Sequence, residues 1–288
     1  LGIIYLLATI FTIFSLINLI KEYIFNGYNI FVKNLPQRPK CLDNYKSNFL
    51  YLNNNIKLHY VMEGEKGKEL ICVAIDMRGY GESDKPNGIG EYKIEKLIED
   101  VENVIHKLGY KKAIIVGHDW GSIVSWMFAA FYPEMVTKLI IMDVPHPNAA
   151  MITYRRYWKQ IVKSAYIYLF QFPIVPELIM RKKGGIYNKN QISNEDISAY
   201  IYTFVNGFTG PINFYRAFLQ RWNLIEMPKE PIKPETLIIF GEKDYFVISE
   251  NAQLSQNYCS KSDIAIIKNG SHWIQQDFPD ENFKIDHR

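Results

Sequence analysis

The five residues Gly117 to Gly121 (Gly-His-Asp-Trp-Gly) carry the clearest chemical signal in the chain. The apolar run at 113–116 predicts a buried strand before them, and residues 122–132 predict a helix after them. A sharp strand-to-helix turn pushes its central side chain out above a sheet, next to helix N–H groups that favour a negative charge. Asp119 is that central residue. We expect both glycines to be required, because a side chain on either would clash within the turn.

A carboxylate at such a turn indicates a different reaction from the one that serine performs. Serine suits attack on an acyl carbonyl, whereas a carboxylate is ionised at neutral pH and can displace a leaving group at saturated carbon. The product is an ester on the protein, which water must then cleave. A helix-capping role for Asp119 is the alternative, and these five residues alone leave it open.

Two further polar residues follow apolar strands. Asp244 comes after the predicted strand 236–240, and His272 comes after the predicted strand 263–267. The carboxyl ends of parallel strands are where open α/β sheets keep their sites. The chain order of nucleophile, acid and histidine is the one that the elbow fold requires. Asp244 is therefore expected to orient His272, and His272 to deprotonate a water molecule.

The surrounding pattern predicts an α/β fold with a mostly parallel sheet and helices on both faces. Residues 50–63 indicate a hairpin, and a helix with apolar residues at 3.6-residue spacing begins at Ile94 and ends before Gly109. Buried parallel strands are predicted at 69–76, 113–116, 138–143, 236–240 and 263–267. The helical, aromatic stretch between them predicts an inserted lid, which gives a core at 50–147, a lid at 148–228 and a second core part at 229–288.

The N-terminal stretch Leu1 to Ile20 contains no charged residue. Its length is that of a bilayer-spanning helix, so we predict a single transmembrane anchor at 1–20 and a connector at 21–49. A buried core helix is the alternative, although one side of such a helix is normally polar. The basic residues that follow favour a cytosolic catalytic part on a single-pass protein of the endoplasmic reticulum.

Composition excludes several classes of protein. The chain has 288 residues, of which 48% are hydrophobic and 22% are charged, so it is not a disordered or collagen-like protein. Its 33 basic and 30 acidic residues leave a net charge of +3, which is too balanced for a nucleic-acid partner. The three cysteines have no metal-ligand spacing and favour a reducing compartment. The predicted chemistry requires neither a metal nor another cofactor.

Several motifs together resemble the α/β-hydrolase-fold epoxide hydrolases, in particular their membrane-anchored animal branch. The segments that carry this resemblance are 74–84 (AIDMRGYGESD), 117–121, 143–148 (DVPHPN), 210–216 (GPINFYR) and 271–273 (SHW). The resemblance implies the α/β-hydrolase fold with a helical lid. It also implies conversion of a small hydrophobic epoxide, of which lipid-derived epoxides are one class, into a vicinal diol through an aspartyl ester.

The resemblance also implies a role for each candidate site residue. Asp119 matches the nucleophile, His272 the general base and Asp244 the orienting acid. Tyr215 matches a lid tyrosine whose phenol donates a proton to the epoxide oxygen, and the backbone N–H of Trp120 matches one side of an oxyanion hole. Leu169 stands where many relatives have a second lid tyrosine, so no second proton donor is assigned.

The chain departs from this family at one important place. The family's His-Gly-Phe-Pro segment is absent, and one strand with its helix is predicted to be deleted near residue 70, because a parallel crossover needs about a dozen residues. The usual closing helix is also expected to be missing after Pro279. Two alternatives therefore stay open: a haloalkane dehalogenase-like hydrolase, and a catalytically inactive isoform that lacks the oxyanion segment.

Overall fold

A computed structural model describes residues 38–64, 71–183, 193–204, 207–221 and 226–279, together with the single residues Thr9, Ile13 and Ile17. The chain divides into two compact units. The first unit comprises Leu1–Lys107 and Tyr166–Arg221, and the second comprises Leu108–Ala165 and Trp222–Arg288. Every residue of the predicted Asp–His–Asp group lies in the second unit, whereas Tyr215 lies in the first.

The first unit contains a three-stranded antiparallel sheet in the order β1-β2-β3. Its strands are β1 (Ser47–Tyr51), β2 (Lys57–Glu63) and β3 (Cys72–Ile75). The predicted hairpin is confirmed, since Leu50 faces Leu58 in the β1–β2 register. Asn55 adopts a left-handed φ of 61° in the turn between the two strands.

The strand predicted at 69–76 differs from the expectation. β3 was expected to be a buried parallel strand, but it pairs antiparallel with β2 and lies at the end of its sheet. Cys72 and Ala74 are exposed on it. Residues 65–70 lie outside the described part of the chain, and residues 71–93 contain this one strand.

Helix α1 (Ile94–Lys107) follows β3 and ends before Gly109, whose φ of +88° stops the helix as predicted. The loop between β3 and α1 is locked by Arg78, which is 1% exposed and donates two hydrogen bonds of 2.6 Å to Asp100 on α1. A fully buried guanidinium is stable only when it is paired in this way. This ion pair therefore fixes the loop from inside the unit.

The second unit contains a four-stranded parallel sheet in the order β4-β5-β6-β7, as the strand–helix alternation predicted. Its strands are β4 (Ala113–His118), β5 (Val136–Met142), β6 (Glu235–Gly241) and β7 (Ser262–Ile267). Helix α2 (Trp120–Phe131) packs on β4 and β5. Leu139, Ile141 and Ile238 are fully buried in the two central strands.

β4 is less buried than its apolar sequence predicted. Ile114 is 48% exposed and Val116 is 52% exposed, and among the described residues β4 pairs only with β5. The seven strands thus form two sheets rather than one, with β3 ending the first and β4 ending the second.

The stretch predicted to form the lid contains helices and no strand in its described part. Six helices occur here: α3 (Pro147–Arg156), α4 (Trp158–Lys163), α5 (Ala165–Leu169), α6 (Val175–Lys183), α7 (Asn194–Thr203) and α8 (Thr209–Arg221). Arg216 on α8 connects this helix to the loop after α5 and to α6, because it donates to the carbonyls of Phe170 and Phe172 and pairs with Glu177 at 2.7 Å. Two short helices, α9 (Glu250–Gln256) and α10 (Ile274–Asp277), follow in the described part of the second unit.

The predicted membrane anchor at 1–20 lies outside the described residues, apart from Thr9, Ile13 and Ile17. Within the described part of the chain, no helix has the length and apolar character that a membrane crossing needs.

Candidate active site

Asp119 occupies a strained turn between β4 and α2. Its φ of 49° and ψ of −121° lie in a region that residues other than glycine rarely adopt. Its side chain makes no capping hydrogen bond to helix α2, so the capping alternative finds no support in the geometry. The carboxylate remains accessible, with 43% of the side chain exposed.

Only one of the two elbow glycines is crowded. A Cβ on Gly117 would lie 2.5 Å from the backbone oxygen of Gly121 and 2.5 Å from Ser125 Oγ, where helix α2 crosses the strand end. A Cβ on Gly121 would meet no described atom within 4 Å. The expectation that both glycines are sterically required is therefore wrong for Gly121, because a side chain there would point into space that no described atom within 4 Å occupies.

Asp244 lies just beyond the end of β6 and is 4% exposed. Its Oδ1 accepts hydrogen bonds from the backbone N–H groups of Phe246 (2.5 Å) and Val247 (3.0 Å). Its Oδ2 lies 2.7 Å from Nδ1 of His272. Because both oxygens are engaged, the carboxylate has one orientation and can fix the imidazole ring.

His272 is brought to Asp244 by a close approach of two backbone segments. A Cβ on Gly241, the last residue of β6, would collide with the backbone oxygens of Ser271 and Gly270. The N–H of Lys243 also donates to the carbonyl of Gly270 at 2.8 Å. The glycine at the strand end therefore lets the loop that carries His272 lie directly beside the loop that carries Asp244.

The second ring nitrogen of His272 faces Asp119, with Nε2 4.0 Å from Oδ1. The structure thus brings three of the predicted residues together in one row: Asp119, His272 and Asp244. The ring is 5% exposed and lies against Phe246, with centroids 5.0 Å apart. This is the arrangement in which a histidine can move a proton next to a carboxylate while a second carboxylate holds the ring.

The charges in this row shift the pKa of two groups. Burial lowers the pKa of His272, but the hydrogen bond to Asp244 and the negative charges of Asp119 and Asp244 outweigh it and raise the pKa to about 10. Partial burial opposes ionisation of Asp119, yet the positive charge of His272 holds the pKa of Asp119 below its usual range. Both shifts favour an ionised Asp119 beside an imidazolium.

The backbone N–H of Trp120, the residue after Asp119, helps to lower the pKa of the Asp119 carboxyl group. This is the place where an N–H could stabilise an oxyanion that forms on the Asp119 carboxyl group. Two other histidines of the second unit make packing or hydrogen-bond contacts. His118 Nε2 donates to the carbonyl of His272 at 2.6 Å, and His146, whose pKa burial lowers to about 4, stacks on Tyr258.

Tyr215 is a residue of α8 in the first unit. Its ring lies edge-on to Phe170 and to Tyr166, at centroid distances of 4.9 Å and 5.7 Å. Leu169, the position without a second tyrosine, is buried on α5. The phenol of Tyr215 therefore belongs to an aromatic cluster formed by α5 and α8.

Sequence reasoning missed three polar residues near the site. Two of them contact residues 244–248, the acid loop, and the third lies at the end of β5. Gln160 on α4 donates to the carbonyl of Phe246 and accepts from the N–H of Ile248, and Lys163 donates to the carbonyl of Asp244. No sequence signal links these lid-segment residues to residues 244–248. Asp143 follows β5 as Asp244 follows β6, so the same strand-end rule could have singled it out.

His118, Asp143 and His272 each offer a ligand atom, and these atoms lie within 4.8 Å of one another. They could in principle hold a metal ion, but both ring nitrogens of His272 already face carboxylates. The high pKa of His272 also disfavours the neutral imidazole that a metal needs.

Comparison with known proteins identifies the group to which this geometry belongs. The family described as the alpha/beta hydrolase fold matches residues 68–279. The chain belongs to this family. Epoxide hydrolase 2 of Caenorhabditis elegans is 33% identical, over 94% of this chain and 87% of the relative. Human epoxide hydrolase 4 is 34% identical, over 79% of this chain and 74% of the relative.

Solved structures place the chain in the same group. A mutant of an epoxide hydrolase from Bacillus megaterium, complexed with its diol product, is 27% identical and superimposes with a TM-score of 0.74. That match covers 81% of this chain and 95% of the other. The expected resemblance and the α/β-hydrolase fold are confirmed.

The alignments also show that relatives contain residues without a counterpart here. The alignment with the C. elegans epoxide hydrolase 2 runs over 312 positions, and that with epoxide hydrolase 1 of the same organism over 300. Both exceed the 288 residues of this chain. Each alignment must therefore contain positions that are gaps in this chain.

Steric demand at the elbow predicts a contrast between its two glycines. Gly117→Ala should destabilise the fold by about 2 kcal/mol, because the methyl group meets backbone atoms that cannot move aside. Gly121→Ala should change the free energy of unfolding by less than about 0.5 kcal/mol. Urea unfolding followed by circular dichroism measures both, and equal losses in the two variants would contradict the crowding at Gly117.

The pKa of His272 predicts how stability depends on pH. Because its folded pKa of about 10 lies above the unfolded value of about 6.5, its contribution is fully present below pH 6.5 and is lost as pH rises to 10. The free energy of unfolding should fall more steeply over this window in the wild type than in His272→Gln. His106→Gln, a change at an exposed position of α1, is the control and should keep the wild-type slope.

Proposed function

We propose that this protein is an epoxide hydrolase, which adds water to a hydrophobic epoxide and releases a vicinal diol. The observation that carries the proposal is the carboxylate at the strained turn, with an imidazole 4.0 Å from it and a second carboxylate behind the ring. A hydroxyl in this position would serve acyl transfer, whereas a carboxylate can attack the carbon of a strained ring. The named relatives, which are epoxide hydrolases, support the same reaction.

In the first proposed step, an oxygen of Asp119 forms a bond to one epoxide carbon while the ring C–O bond to that carbon breaks. The low pKa of Asp119 supports this step, because the carboxylate is ionised and ready to attack at neutral pH. The released oxygen becomes an alkoxide and takes a proton from the phenol of Tyr215. A neutral phenol, with a pKa near 10, can donate without competing as a nucleophile.

In the second proposed step, water cleaves the ester with His272 as the base. Ester formation removes the negative charge of Asp119, which is one of the two charges that raise the pKa of His272. The pKa of the buried ring then falls, and its proton can return to the phenolate by way of solvent. The neutral imidazole takes a proton from water as the water oxygen attacks the Asp119 carbonyl carbon.

The negative charge that develops on the Asp119 carbonyl oxygen would be met by the backbone N–H of Trp120. When the ester C–O bond breaks, the imidazolium gives its proton to the leaving alkoxide and the diol departs. The carboxyl group of Asp119, which keeps the second proton of the water, then passes that proton to His272 and the starting state is restored. Asp244 keeps its orientation throughout, because two backbone N–H groups hold its other oxygen.

The unpaired edge of β4 favours a second candidate function, that of a catalytically inactive isoform. Among the described residues, the exposed Ile114 and Val116 of β4 lack a neighbouring strand on one side, and the alignments contain gaps in this chain. The absent His-Gly-Phe-Pro segment would supply the second oxyanion donor in the family. Loss of one such donor costs on the order of 10²–10³ in rate in a known case.

Covalent trapping separates these candidates. With styrene oxide as the probe, His272→Gln should accumulate an ester on the peptide that contains Asp119, because removal of the base slows ester cleavage by on the order of 10²–10⁴. Mass spectrometry of that peptide detects the adduct. In labelled water, a single turnover of the wild type should place the heavy oxygen in the Asp119 carboxylate.

Asp119→Asn is the matched control, which should form no adduct while keeping the native circular dichroism spectrum. Label found only in the diol would refute the ester route. A folded wild type and a folded His272→Gln variant that both fail to form the adduct would establish the inactive isoform. Chloride release from 1-chlorobutane would indicate the dehalogenase-like alternative instead.

We also propose that residues 1–20 anchor the protein in the endoplasmic reticulum, with residues 21–288 in the cytosol. The support is the run of 20 residues without a charge, followed by basic residues. In microsomes, the full chain should resist alkaline carbonate extraction. The double change Leu7→Lys and Phe11→Lys should release it, because each lysine costs about 3 kcal/mol in the bilayer. A wild-type chain extracted by carbonate would overturn the anchor.

A further inference from the structure

Asp143 is a buried acid that the proposed mechanism does not use. It follows the last residue of β5, it is 0% exposed, and its φ of 57° is left-handed. Its N–H donates to the carbonyl of Ile239 on β6 at 2.9 Å. A carboxyl group held this deeply in a strained backbone conformation needs a physical reason, because both features cost free energy.

The two oxygens of Asp143 have different surroundings. Oδ1 accepts a 2.7 Å hydrogen bond from the N–H of Gly241, whereas Oδ2 is buried without a hydrogen-bond partner among the described residues. An ionised carboxylate with a bare buried oxygen is unfavourable, so the geometry favours a protonated carboxyl group. Burial, together with the charges of Asp244 and Asp119, raises the pKa of Asp143 to about 8 against the opposing effects of Gly241 and His272.

Gly241, whose N–H donates to Asp143, contacts both the segment that carries Asp244 and the segment that carries His272. Its carbonyl accepts from the N–H of Asp244, and its Cα is pressed against the backbone of Ser271, next to His272. A displacement of Gly241 would therefore move both Asp244 and His272 at once. The side chain of Asp143 accepts a hydrogen bond from the N–H of Gly241.

We infer that Asp143 is a positioning residue for the hydrolase reaction proposed above: in its protonated form it anchors Gly241, and so places Asp244 and His272 without adding a third negative charge. The titratable groups that face it in the second unit are Asp119, Asp244, His272 and His118. With Asp143 neutral, one imidazolium lies among two carboxylates. Ionised Asp143 would strengthen the hold on the proton of His272 and leave less of the neutral imidazole that accepts a proton from water.

Two substitutions of nearly equal size separate the anchoring and charge effects. Asp143→Asn keeps an oxygen that can accept from Gly241 and cannot ionise. Asp143→Leu removes the acceptor. The experiment uses the full chain and styrene oxide, and it measures kcat and KM from pH 6 to 9.5. Nitrogen NMR of the His272 ring over the same pH range provides a readout that needs no turnover.

We expect Asp143→Asn to retain most of the wild-type kcat at pH 7, and Asp143→Leu to lose about a hundredfold in kcat with little change in KM, as misplacement of catalytic groups does. The wild type should show a fall in kcat and a change in the His272 nitrogen shifts near pH 8. Both features should be missing from Asp143→Asn.

Three results would overturn the inference. They are an unchanged kcat in Asp143→Leu, an equal loss in the two variants, and a pH 8 transition that persists in Asp143→Asn. Circular dichroism establishes whether Asp143→Leu is folded, and if it is not, the pH dependence of Asp143→Asn decides alone. A wild type without turnover would refute the proposed function, whereas the His272 shifts would still test the role of Asp143.

Discussion

The imidazole of His272 lies between two carboxylates, and the rest of the candidate site depends on this contact. The pair of negative charges outweighs the effect of burial and keeps a proton on the ring in the resting state. The same proton keeps Asp119 ionised, because each charge stabilises the other. In the proposed reaction, neutralising Asp119 as an ester would release the proton from the ring. One electrostatic interaction could thus prepare the nucleophile first and the base afterwards.

This contact depends on strand ends that lie side by side. β4 delivers Asp119, β6 delivers Asp244 and the loop after β7 delivers His272, with the buried β5 between the first two. Close backbone approaches at Gly117 and Gly241 permit the final distances, since a methyl group at either position would collide with backbone atoms. Strain at Asp119 is tolerated because helix α2 and strand β4 are both packed against β5.

The two strand edges are the other main feature of this chain. In the described residues β3 ends one sheet and β4 ends the other, and β4 exposes Ile114 and Val116 on an apolar strand. Alternating exposed apolar residues on an edge strand normally promote association, and proteins usually cover or charge such edges. Loss of the His-Gly-Phe-Pro segment together with its strand would remove an oxyanion donor. It would thus also leave Ile114 and Val116 in contact with solvent.

The sequence alone determined the elements and their order, because hydrophobic periodicity and the turn residues are local signals. Residues 113–116 predicted β4, the series from Ile94 predicted α1, and the strand-end positions of Asp119, Asp244 and His272 predicted their proximity. Only the tertiary structure decided that β3 runs antiparallel to β2 and that Gly121 is uncrowded. It also decided that Gln160, Lys163 and Asp143 hold the acid loop and its strand. These outcomes depend on contacts between residues far apart in the chain, which no local pattern encodes.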